Sequence, residues 1–447
     1  MSLKDIDDSF VWHPYTQMHD WIGVDKPVIV RGEGFHLVDS HGTKYVDGIS
    51  SMWCNVWGHD QNPVTKAMQK QLGILQHSTL FGLANETSAL LAQRLVKIAK
   101  GLDKVFYTDN GSTAIEAAMK MAVQYWRNKG RPSKVEFLSL RKGYHGDTIG
   151  AMSLGYIDKF FGAYKPLLSL KVHRLPSPVL YQSGYKTIEE VAEACLSKIE
   201  YSMKKVGERC AALVMESGAQ IAGGVIVYPP GFQKEVSKLC RKYDVLLVLD
   251  EIATGFGRLG NLIEFQAQRS QPDIACFGKA LTGGYFPLAA VLATDSIFEA
   301  FMGDYSENKQ LYHGHTFTGH PVGCAAALAN LDLYEKRGLI LKIRENGKYI
   351  ASRLRELASS PLVADIRHKG MLAGIELAQY RKPLMTVGNE RLNYFIMRES
   401  LKRGVYLRPL GNIMIVIPPL AIDRKNLEKV MTVHAEMLIL VELSVSH

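Results

Sequence analysis

A lysine that directly follows a predicted buried strand is the residue of this 447-residue chain best placed to act as an amine nucleophile. The run DIACFG, from Asp273 to Gly278, is typical of a short apolar strand, and Lys279 comes next. An amine there has few neighbours that can solvate its charge, so its pKa should be lowered and it should form imines readily. A surface lysine that reaches solvent is the alternative. A phosphate-binding P-loop is excluded, because Ala280 follows the lysine and Asp273 stands where that motif needs glycine.

Two further motifs follow predicted strands and offer a carboxylate and an anion site. Asp250-Glu251 comes directly after VLLVL, which places an acid at the mouth of a buried strand. A helix N-cap and a metal-binding acid explain this motif equally well. The segment TDNGST, from Thr108 to Thr113, passes from a strand into a predicted helix through Gly111. Free N–H groups at the start of a helix attract anions, although a plain turn explains the same residues.

A loop of the sequence GYHGDT, from Gly143 to Thr148, adds an aromatic ring and an acid after the strand VEFLSL. In open α/β sheets, ligands bind beyond the carboxyl ends of the strands, so the four motifs are predicted to share one cleft. Together they offer N–H donors for a phosphate, a carboxylate for a ring nitrogen, an aromatic plate and an amine. Pyridoxal phosphate (PLP) needs this combination, although none of the four motifs is specific alone.

The elements that must position these motifs are apolar strands that alternate with helical segments. The predicted strands are KVFYT (104–108), VEFLSL (135–140), LKVHRL (170–175), AALVME (211–216), VLLVLD (245–250), DIACFG (273–278) and PLAAVLAT (287–294). Continuous apolar strands separated by helices predict a mainly parallel sheet that is covered on both faces. The predicted fold class is therefore α/β, with a mainly parallel seven-stranded sheet in a large domain.

Smaller elements lie towards both ends of the chain. Residues 28–51 alternate apolar runs with turns, which predicts a small antiparallel meander. GMLAGIEL, GVYLRPL and NIMIVIPPL, with flanking helices, predict an α+β unit. We therefore expect an N-terminal segment at 1–75 that is part of a small domain, a large domain at 76–339 and a C-terminal α+β small domain at 340–447.

The composition is that of a globular protein, and it restricts the partners. Lys and Arg number 53 against 44 Asp and Glu, a formal net charge of +9, but the basic residues are scattered, so a nucleic-acid-binding protein is only a remote alternative. The six cysteines form no CxxC pair. His313 and His315 lack further ligands at usual spacing, so no metal is predicted. No apolar run approaches the ~20 residues needed to span a bilayer, and a cytoplasmic protein is expected.

Five ordered blocks identify the family that the chain resembles. DNGSTAIE, KGYHGDT, LVLDEIATGFGR, FGKALTGGYFPLAAV and HGHTFTGHPVGCAAALA resemble the class III aminotransferases of fold type I, over nearly the whole chain. The resemblance implies a PLP-transferase fold with a smaller α+β domain built from both termini. It also implies a homodimer with shared active sites.

The same resemblance implies a role for each residue of the cofactor site. Lys279 would bind PLP as an imine, Asp250 would pair with the ring nitrogen and Tyr144 would stack on the ring. The phosphate would be bound by residues at the start of a helix and by one from the second subunit, namely Gly111, Ser112 and Thr316.

Four further segments resemble the branch of this family that converts 8-amino-7-oxononanoate to 7,8-diaminononanoate in biotin synthesis. They are WHPYTQM (12–18), SSMW (50–53), MKMAVQYWR (119–127) and RPLG (408–411). In that branch Arg408 would bind the far carboxylate of the acceptor and Asp147 would meet an amino group. Tyr15, Trp53 and Tyr144 would line the pocket. Core packing for Trp53 and a surface ion pair for Arg408 are the structural alternatives.

The amino donor is where the sequence departs from the branch that uses S-adenosylmethionine. Met52 stands in place of a tryptophan, and Leu420 in place of a tyrosine after Pro418-Pro419. Losing two aromatic rings removes stacking partners for a sulfonium donor. The departures resemble the branch that uses lysine, so lysine is favoured over S-adenosylmethionine. The alternative function is another class III ω-amino acid aminotransferase that uses pyruvate or 2-oxoglutarate.

Overall fold

The strands lie in three regions of the chain in the computed structural model, which describes residues 1–155 and 157–445. They are β1 (Ile29–Glu33), β2 (His36–Asp39), β3 (Lys44–Asp47), β4 (Lys104–Thr108), β5 (Glu136–Leu140), β6 (Val172–Leu175), β7 (Cys210–Glu216), β8 (Ala219–Gln220), β9 (Ile226–Val227), β10 (Leu246–Asp250), β11 (Ile274–Phe277), β12 (Ala289–Ala293), β13 (Val363–Lys369), β14 (Leu372–Gln379), β15 (Lys382–Pro383), β16 (Thr386–Val387), β17 (Glu390–Arg391), β18 (Val405–Tyr406) and β19 (Ile413–Val416).

The α-helices connect these strands, with short 3₁₀ turns between some of them. They are α1 (Leu3–Phe10), α2 (Met18–Trp21), α3 (Ser50–Trp53), α4 (Asn62–Ile74), α5 (Glu86–Ile98), α6 (Gly111–Asn128), α7 (Ile149–Gly155), α8 (Asp158–Phe161), α9 (Ile188–Val206), α10 (Phe232–Lys242), α11 (Glu264–Ala267), α12 (Asp295–Glu299), α13 (Pro321–Lys336), α14 (Leu339–Leu357), α15 (Leu392–Lys402) and α16 (Arg424–Val445). None of the helices in the described ranges is both long enough and apolar enough to cross a membrane.

A seven-stranded sheet lies at the centre of the molecule, in the order β4-β12-β11-β10-β7-β5-β6. Strand β12 runs antiparallel to both of its neighbours, and the other adjacent pairs are parallel. These are the seven strands predicted from apolar runs, so the predicted mainly parallel sheet is confirmed. The shared direction brings the carboxyl ends of β5, β7, β10 and β11 to one edge of the sheet.

The inner strands of the central sheet, β7, β10, β11 and β12, are almost entirely apolar because both faces of the sheet are covered. In β10, Leu247 and Leu249 belong to one hydrophobic cluster, whereas Leu246 and Val248 belong to another. The cluster on the first face includes residues of α5, α9, α10 and α13, and the cluster on the second face includes residues of α6. Alternate side chains of one strand therefore point into two separate cores, which removes the polar positions that a half-exposed strand would show.

Segments from both ends of the chain form smaller sheets beside the central one. Strands β1, β2 and β3 form the antiparallel meander predicted for residues 28–51, and β18 pairs in parallel with β3. Strands β13, β14, β15 and β19 form a second, antiparallel sheet. The fold therefore has the predicted α/β class with an α+β part contributed by both termini.

One buried side chain of α13 fixes the turn that follows β11. The Asn330 Nδ2 group donates to the backbone oxygens of Ala280 and Leu281, each at 2.9 Å, and its Oδ1 accepts from Trp57 Nε1 at 2.7 Å. Asn330 is fully buried, so water cannot replace these hydrogen bonds. The turn begins at Lys279, and its position is therefore set by a residue 51 positions away in the sequence.

Candidate active site

A cavity of about 430 Å³ opens at the carboxyl edge of the central sheet. Its walls come from the loops that follow β4, β5, β10 and β11, together with the end of β7. Six residues singled out from the sequence line it: Trp53, Gly111, Ser112, Tyr144, Asp250 and Lys279. The four motifs predicted to share a cleft do so.

Lys279 lies in this cavity with its side chain partly buried. The residue follows β11 with φ of 43°, in the left-handed region, and its Nζ lies 5.5 Å from the centroid of the Trp53 ring. Burial lowers the pKa of the Lys279 ammonium, while the nearby Asp250 carboxylate opposes that shift. The amine is therefore more readily deprotonated than an exposed lysine, as the sequence predicted.

Asp250 is held from the side by a histidine to which the sequence analysis gave no role. The Asp250 Oδ2 atom lies 2.8 Å from His145 Nδ1, and its Oδ1 accepts from the backbone N–H of Ile252 at 2.9 Å. Both side chains are buried, and His145 Nε2 has no hydrogen-bond partner within the described residues. His145 follows Tyr144 in the GYHGDT loop, but the contact joins residues 105 positions apart, so only the fold reveals it.

Glu216 is a second buried carboxyl group at the floor of the cavity. It ends β7 directly opposite Asp250 in the parallel register, and it accepts from the N–H groups of Tyr144 at 3.2 Å and Ile221 at 2.9 Å. Burial and the charge of Asp250 raise the pKa of Glu216 to about 8, so it is mostly neutral at pH 7. The sequence analysis missed this residue, although it ends the AALVME strand as Asp250 ends VLLVLD.

The start of α6 forms an anion site at the wall of the cavity. Asn110 caps the helix by accepting from Thr113 N, and Gly111 and Ser112 are the first helical residues. Their N–H groups have no partner within the helix, and the helix dipole makes this end positive. A Cβ at Gly146 would lie 1.8 Å from Ser112 Oγ, so the loop after β5 approaches the helix start closely enough to require glycine.

Two tyrosines and Asp147 lie together at the mouth of the cavity. Tyr15 OH donates to Asp147 Oδ1 at 2.5 Å and Tyr144 OH donates to Oδ2 at 3.1 Å. Burial and the carboxylate raise the pKa of both phenols, so both remain protonated donors. The Tyr144 ring is stacked with Phe161 at a centroid distance of 6.4 Å. Tyr15 thus reaches the site from the N-terminal segment, as the sequence predicted.

Four predicted residues do not line the cavity in the single chain, namely Tyr15, Asp147, Arg408 and Thr316. Arg408 is half buried, and its Nη1 lies 3.8 Å from Met52 Sδ, next to Trp53. Thr316 is exposed in the loop before α13. Leu420, which the sequence analysis treated as a pocket position, is fully buried in the hydrophobic core and does not line the cavity.

The cavity residues fit PLP. Asp250 is a buried carboxylate, and within the described part of the chain its only ionisable partner at salt-bridge distance is His145. The carboxylate can therefore accept a hydrogen bond from a protonated ring nitrogen. The first N–H groups of α6 suit the phosphate, Tyr144 offers a ring and Lys279 an amine. Bound at these residues, PLP would supply the electron sink for chemistry at the carbon next to an amine.

A group of possible metal ligands lies at the opposite edge of the central sheet. Ligand atoms of Glu136, His173 and Cys210 are within 4.8 Å of one another. The Glu136 carboxylate, however, is paired with Lys171 and Arg209, each at 2.9 Å, and with His173 at 2.6 Å. Two permanent cations beside the carboxylate make this group an ion-pair network.

Comparisons with other proteins agree with the geometry. The family model for class III aminotransferases matches residues 22–438. A Geobacter sulfurreducens protein named adenosylmethionine-8-amino-7-oxononanoate aminotransferase is 43% identical over 431 residues, which cover 96% of this chain and 95% of the relative. The crystal structure of the protein of that name from Methanocaldococcus jannaschii is 40% identical, with a TM-score of 0.91 over 98% of both chains. An amine transaminase from an uncultivated Pseudomonas species, solved in its PLP-bound form, is 32% identical, with a TM-score of 0.91 over 97% of this chain and 99% of that chain.

The His145 contact gives the first prediction. Replacing His145 with phenylalanine removes the donor to Asp250, and because hydrogen bonds to charged groups contribute about 1.5–3 kcal/mol, PLP should bind ~10- to 100-fold more weakly. Titration of the apoprotein with PLP, followed by its absorption, measures the Kd. The control is His145→Asn, whose amide can donate from the position of Nδ1 and should keep most of the affinity. Equal losses in both variants would contradict this role.

Proposed function

The chain belongs to the class III aminotransferases, which are PLP enzymes, and from that premise we propose that it transfers an amino group to 8-amino-7-oxononanoate, forming 7,8-diaminononanoate for biotin synthesis. The observation that carries the choice of acceptor is the guanidinium of Arg408, which forms no salt bridge with a carboxylate of residues 1–155 or 157–445. A half-buried guanidinium beside the wall of an apolar cavity suits a carboxylate at the far end of a carbon chain. The names of relatives at 40–43% identity support the same acceptor.

In this function Lys279 moves the proton that the reaction must displace. Its burial favours the neutral amine, which can accept a proton from the carbon next to the donor nitrogen and release it again within the cavity. The same steps in reverse place the amino group on the acceptor ketone, so donor and acceptor use the site one after the other. The centroid of the Trp53 ring lies 5.5 Å from this Nζ atom.

The other residues bind and orient. Asp250 keeps the ring nitrogen of the cofactor protonated, and His145 fixes the orientation of that carboxylate through the 2.8 Å contact. Gly111 and Ser112 bind the phosphate at the positive end of α6. Tyr144 covers the face of the ring. Each of these tasks needs a fixed group, and each group is held by a hydrogen bond or a helix start.

The acceptor pocket extends from Lys279 towards Met52 and Arg408. Trp53 and the two tyrosines provide the aromatic surface that the carbon chain of the acceptor needs. Asp147 accepts hydrogen bonds from both Tyr15 and Tyr144, and its exposed carboxylate can also meet the 8-amino group of the acceptor. The proposed pocket therefore has an anion at its mouth, Asp147, and a cation beside Met52, Arg408, which suits an acceptor with an amine and a carboxylate.

Two donors fit this proposal, namely lysine and S-adenosylmethionine. Met52 favours lysine, because it replaces an aromatic partner for a sulfonium and lies 43% exposed beside Arg408. Leu420 no longer supports lysine, since it is buried away from the cavity. The names of the relatives support S-adenosylmethionine. A direct comparison of the two donors decides between them.

The proposed enzyme is a homodimer in which Thr316 contributes to the phosphate site of the partner. Thr316 lies within an exposed apolar patch formed by Phe81, Leu83, Tyr312 and Phe317, which are 54% to 65% exposed in the single chain. Phe81 packs on Gly314, where a Cβ would lie 2.4 Å from its ring. Large exposed apolar patches on a folded chain indicate an interaction surface. The patch thus supports burial of this loop against a second copy.

The function and its donor are tested by half-reactions. Lysine and S-adenosylmethionine are added separately to the PLP-loaded protein, and the true donor should remove the visible absorption of the bound cofactor. Adding 8-amino-7-oxononanoate should then restore the absorption and yield 7,8-diaminononanoate by mass spectrometry. The Lys279→Ala control should bind PLP without turnover. Restoration by pyruvate or 2-oxoglutarate, and not by 8-amino-7-oxononanoate, would replace this proposal with the ω-amino acid alternative.

Replacing Arg408 tests the acceptor site. The Arg408→Ala protein should show a KM for 8-amino-7-oxononanoate that is ~10- to 100-fold higher, as loss of charged hydrogen bonds predicts, and an unchanged donor half-reaction. Arg403→Ala is the matched control, because Arg403 is paired with Glu399 and Glu436 on the surface and its loss should leave KM unchanged. An unaltered acceptor KM in the Arg408 variant would refute the role.

The dimer is tested by mass in solution. Analytical ultracentrifugation of the PLP-loaded protein should give twice the chain mass of 49.8 kDa. The Phe317→Asp variant, with a charge in the exposed patch, should shift the protein towards the single-chain mass and weaken PLP binding, because the partner's contribution to the phosphate site is lost. A wild-type protein with the single-chain mass would exclude the shared site.

A further inference from the structure

The segment Ser50–Trp53 at the wall of the cavity has a backbone that its residue types disfavour. Its four residues have φ of 54°, 45°, 71° and 74°, and none is glycine. This segment, α3 above, is a left-handed turn and not a right-handed helix, and it is closed by hydrogen bonds from Trp53 N to Ile49 O at 2.9 Å and from Cys54 N to Ser50 O at 3.0 Å. Side chains with a Cβ rarely adopt this region, and runs of such residues persist only where the surroundings impose them. Something outside the turn therefore holds it.

Asp47 holds the turn from one side. It ends β3 and is fully buried, and its carboxylate accepts from Ser51 N at 2.9 Å and from Ser51 Oγ at 2.7 Å. His59 Nε2 lies 3.3 Å from the same carboxylate. Ser51 of the turn thus donates two hydrogen bonds to this buried carboxylate.

Arg258 holds the turn from the other side. It is 2% exposed and makes no salt bridge within the described residues. Its Nη2 donates to Ser50 Oγ at 3.2 Å, and its Nη1 donates to the backbone oxygens of Pro418 at 2.7 Å and Met371 at 3.2 Å. Ser50 Oγ in turn donates to Ile417 O at 2.6 Å. The cation therefore joins the turn to the end of β19.

The turn also contributes Trp53 to the wall of the cavity. Trp53 lies over the Lys279 amine, and Met52 contacts Arg408. A left-handed turn places these two neighbouring side chains where a right-handed or extended backbone would not. A relaxed turn would therefore change the pocket while leaving the start of α6 and the Asp250–His145 pair in place.

We propose that Asp47 and Arg258 are positioning residues, whose buried opposite charges hold the left-handed turn Ser50–Trp53 and thereby set the shape of the substrate pocket. The inference rests on the proposed function only for the identity of the acceptor used to measure it. Neither residue contacts the cavity, and each acts through one serine of the turn.

The test is a KM-against-kcat comparison on PLP-loaded variants. Asp47→Asn replaces one acceptor oxygen with a donor and should raise the acceptor KM by ~10-fold or more, with kcat and the Kd for PLP changed less than ~3-fold. Asp39→Asn is the matched control: Asp39 is 4% exposed on the adjacent β2 and also accepts three hydrogen bonds, from His41 N, Thr43 N and Tyr45 OH, but none from the turn. Its acceptor KM should stay at the wild-type value.

A rescue variant separates positioning from general stability. Glycine adopts the left-handed region without strain, so Asp47→Asn combined with Ser51→Gly should recover most of the acceptor affinity without restoring the lost hydrogen bonds. If Asp47→Asn does not fold, Ser50→Ala and Ser51→Ala keep both charges and should each raise KM in the same direction. Equal effects of the Asp39 and Asp47 variants, or no effect of the serine variants, would overturn the proposal.

A crystal structure gives a readout that does not depend on the substrate. In the Asp47→Asn protein with PLP, residues 50–53 should leave the left-handed region and the Trp53 ring should move away from Lys279. An unchanged turn would overturn the proposal. If the wild type does not turn over 8-amino-7-oxononanoate, the proposed function fails, and this structural comparison still decides the inference.

Discussion

The chemistry of this molecule depends on placing one partly buried amine and two buried carboxyl groups together at the edge of a single sheet. Lys279, Asp250 and Glu216 all contribute to the same cavity, and the two acids lie opposite each other on adjacent parallel strands. Two carboxylates so close cannot both be charged at low cost. Asp250 lies 2.8 Å from the imidazole of His145, whereas burial and the charge of Asp250 raise the pKa of Glu216 to about 8 in spite of its two backbone N–H donors. One anion then remains, and it faces the place where a cationic ring nitrogen would lie.

The parallel sheet is what makes this arrangement possible. Adjacent parallel strands end at the same edge, so residues far apart in the sequence become neighbours without a designed loop. Asp250 and Glu216 are 34 positions apart and share a register position. The helix α6 begins at the same edge and adds a positive end. The single antiparallel strand, β12, lies between β4 and β11 and so places the start of α6 next to the turn of Lys279.

Local sequence patterns predicted the strands well and the contacts poorly, for a physical reason. Strands covered on both faces have few polar positions, so DIACFG and VLLVLD are recognisable from composition alone, and the residues at or just after their ends could be assigned to one cleft. The partner of Asp250 could not be predicted, because the His145 contact spans 105 positions. Nor could the left-handed turn at Ser50–Trp53, since it contains no glycine and local preferences favour other backbones. Leu420 shows the opposite error. The sequence suggested a position in the pocket for this residue, but its side chain packs in the hydrophobic core.

A transaminase must bind a donor and an acceptor one after the other in the same pocket. The segment Ser50–Trp53 at the wall of this cavity combines a fixed backbone with an adaptable side chain. The turn is held by two buried charges, so the positions of Met52 and Trp53 are determined by the fold. Met52 itself has an unbranched, polarisable side chain that adapts to different neighbours. Its contact with Arg408 at 3.8 Å is weak, and the guanidinium has no competing carboxylate in the described chain. The carboxylate at the far end of the acceptor can therefore displace the thioether and pair with Arg408.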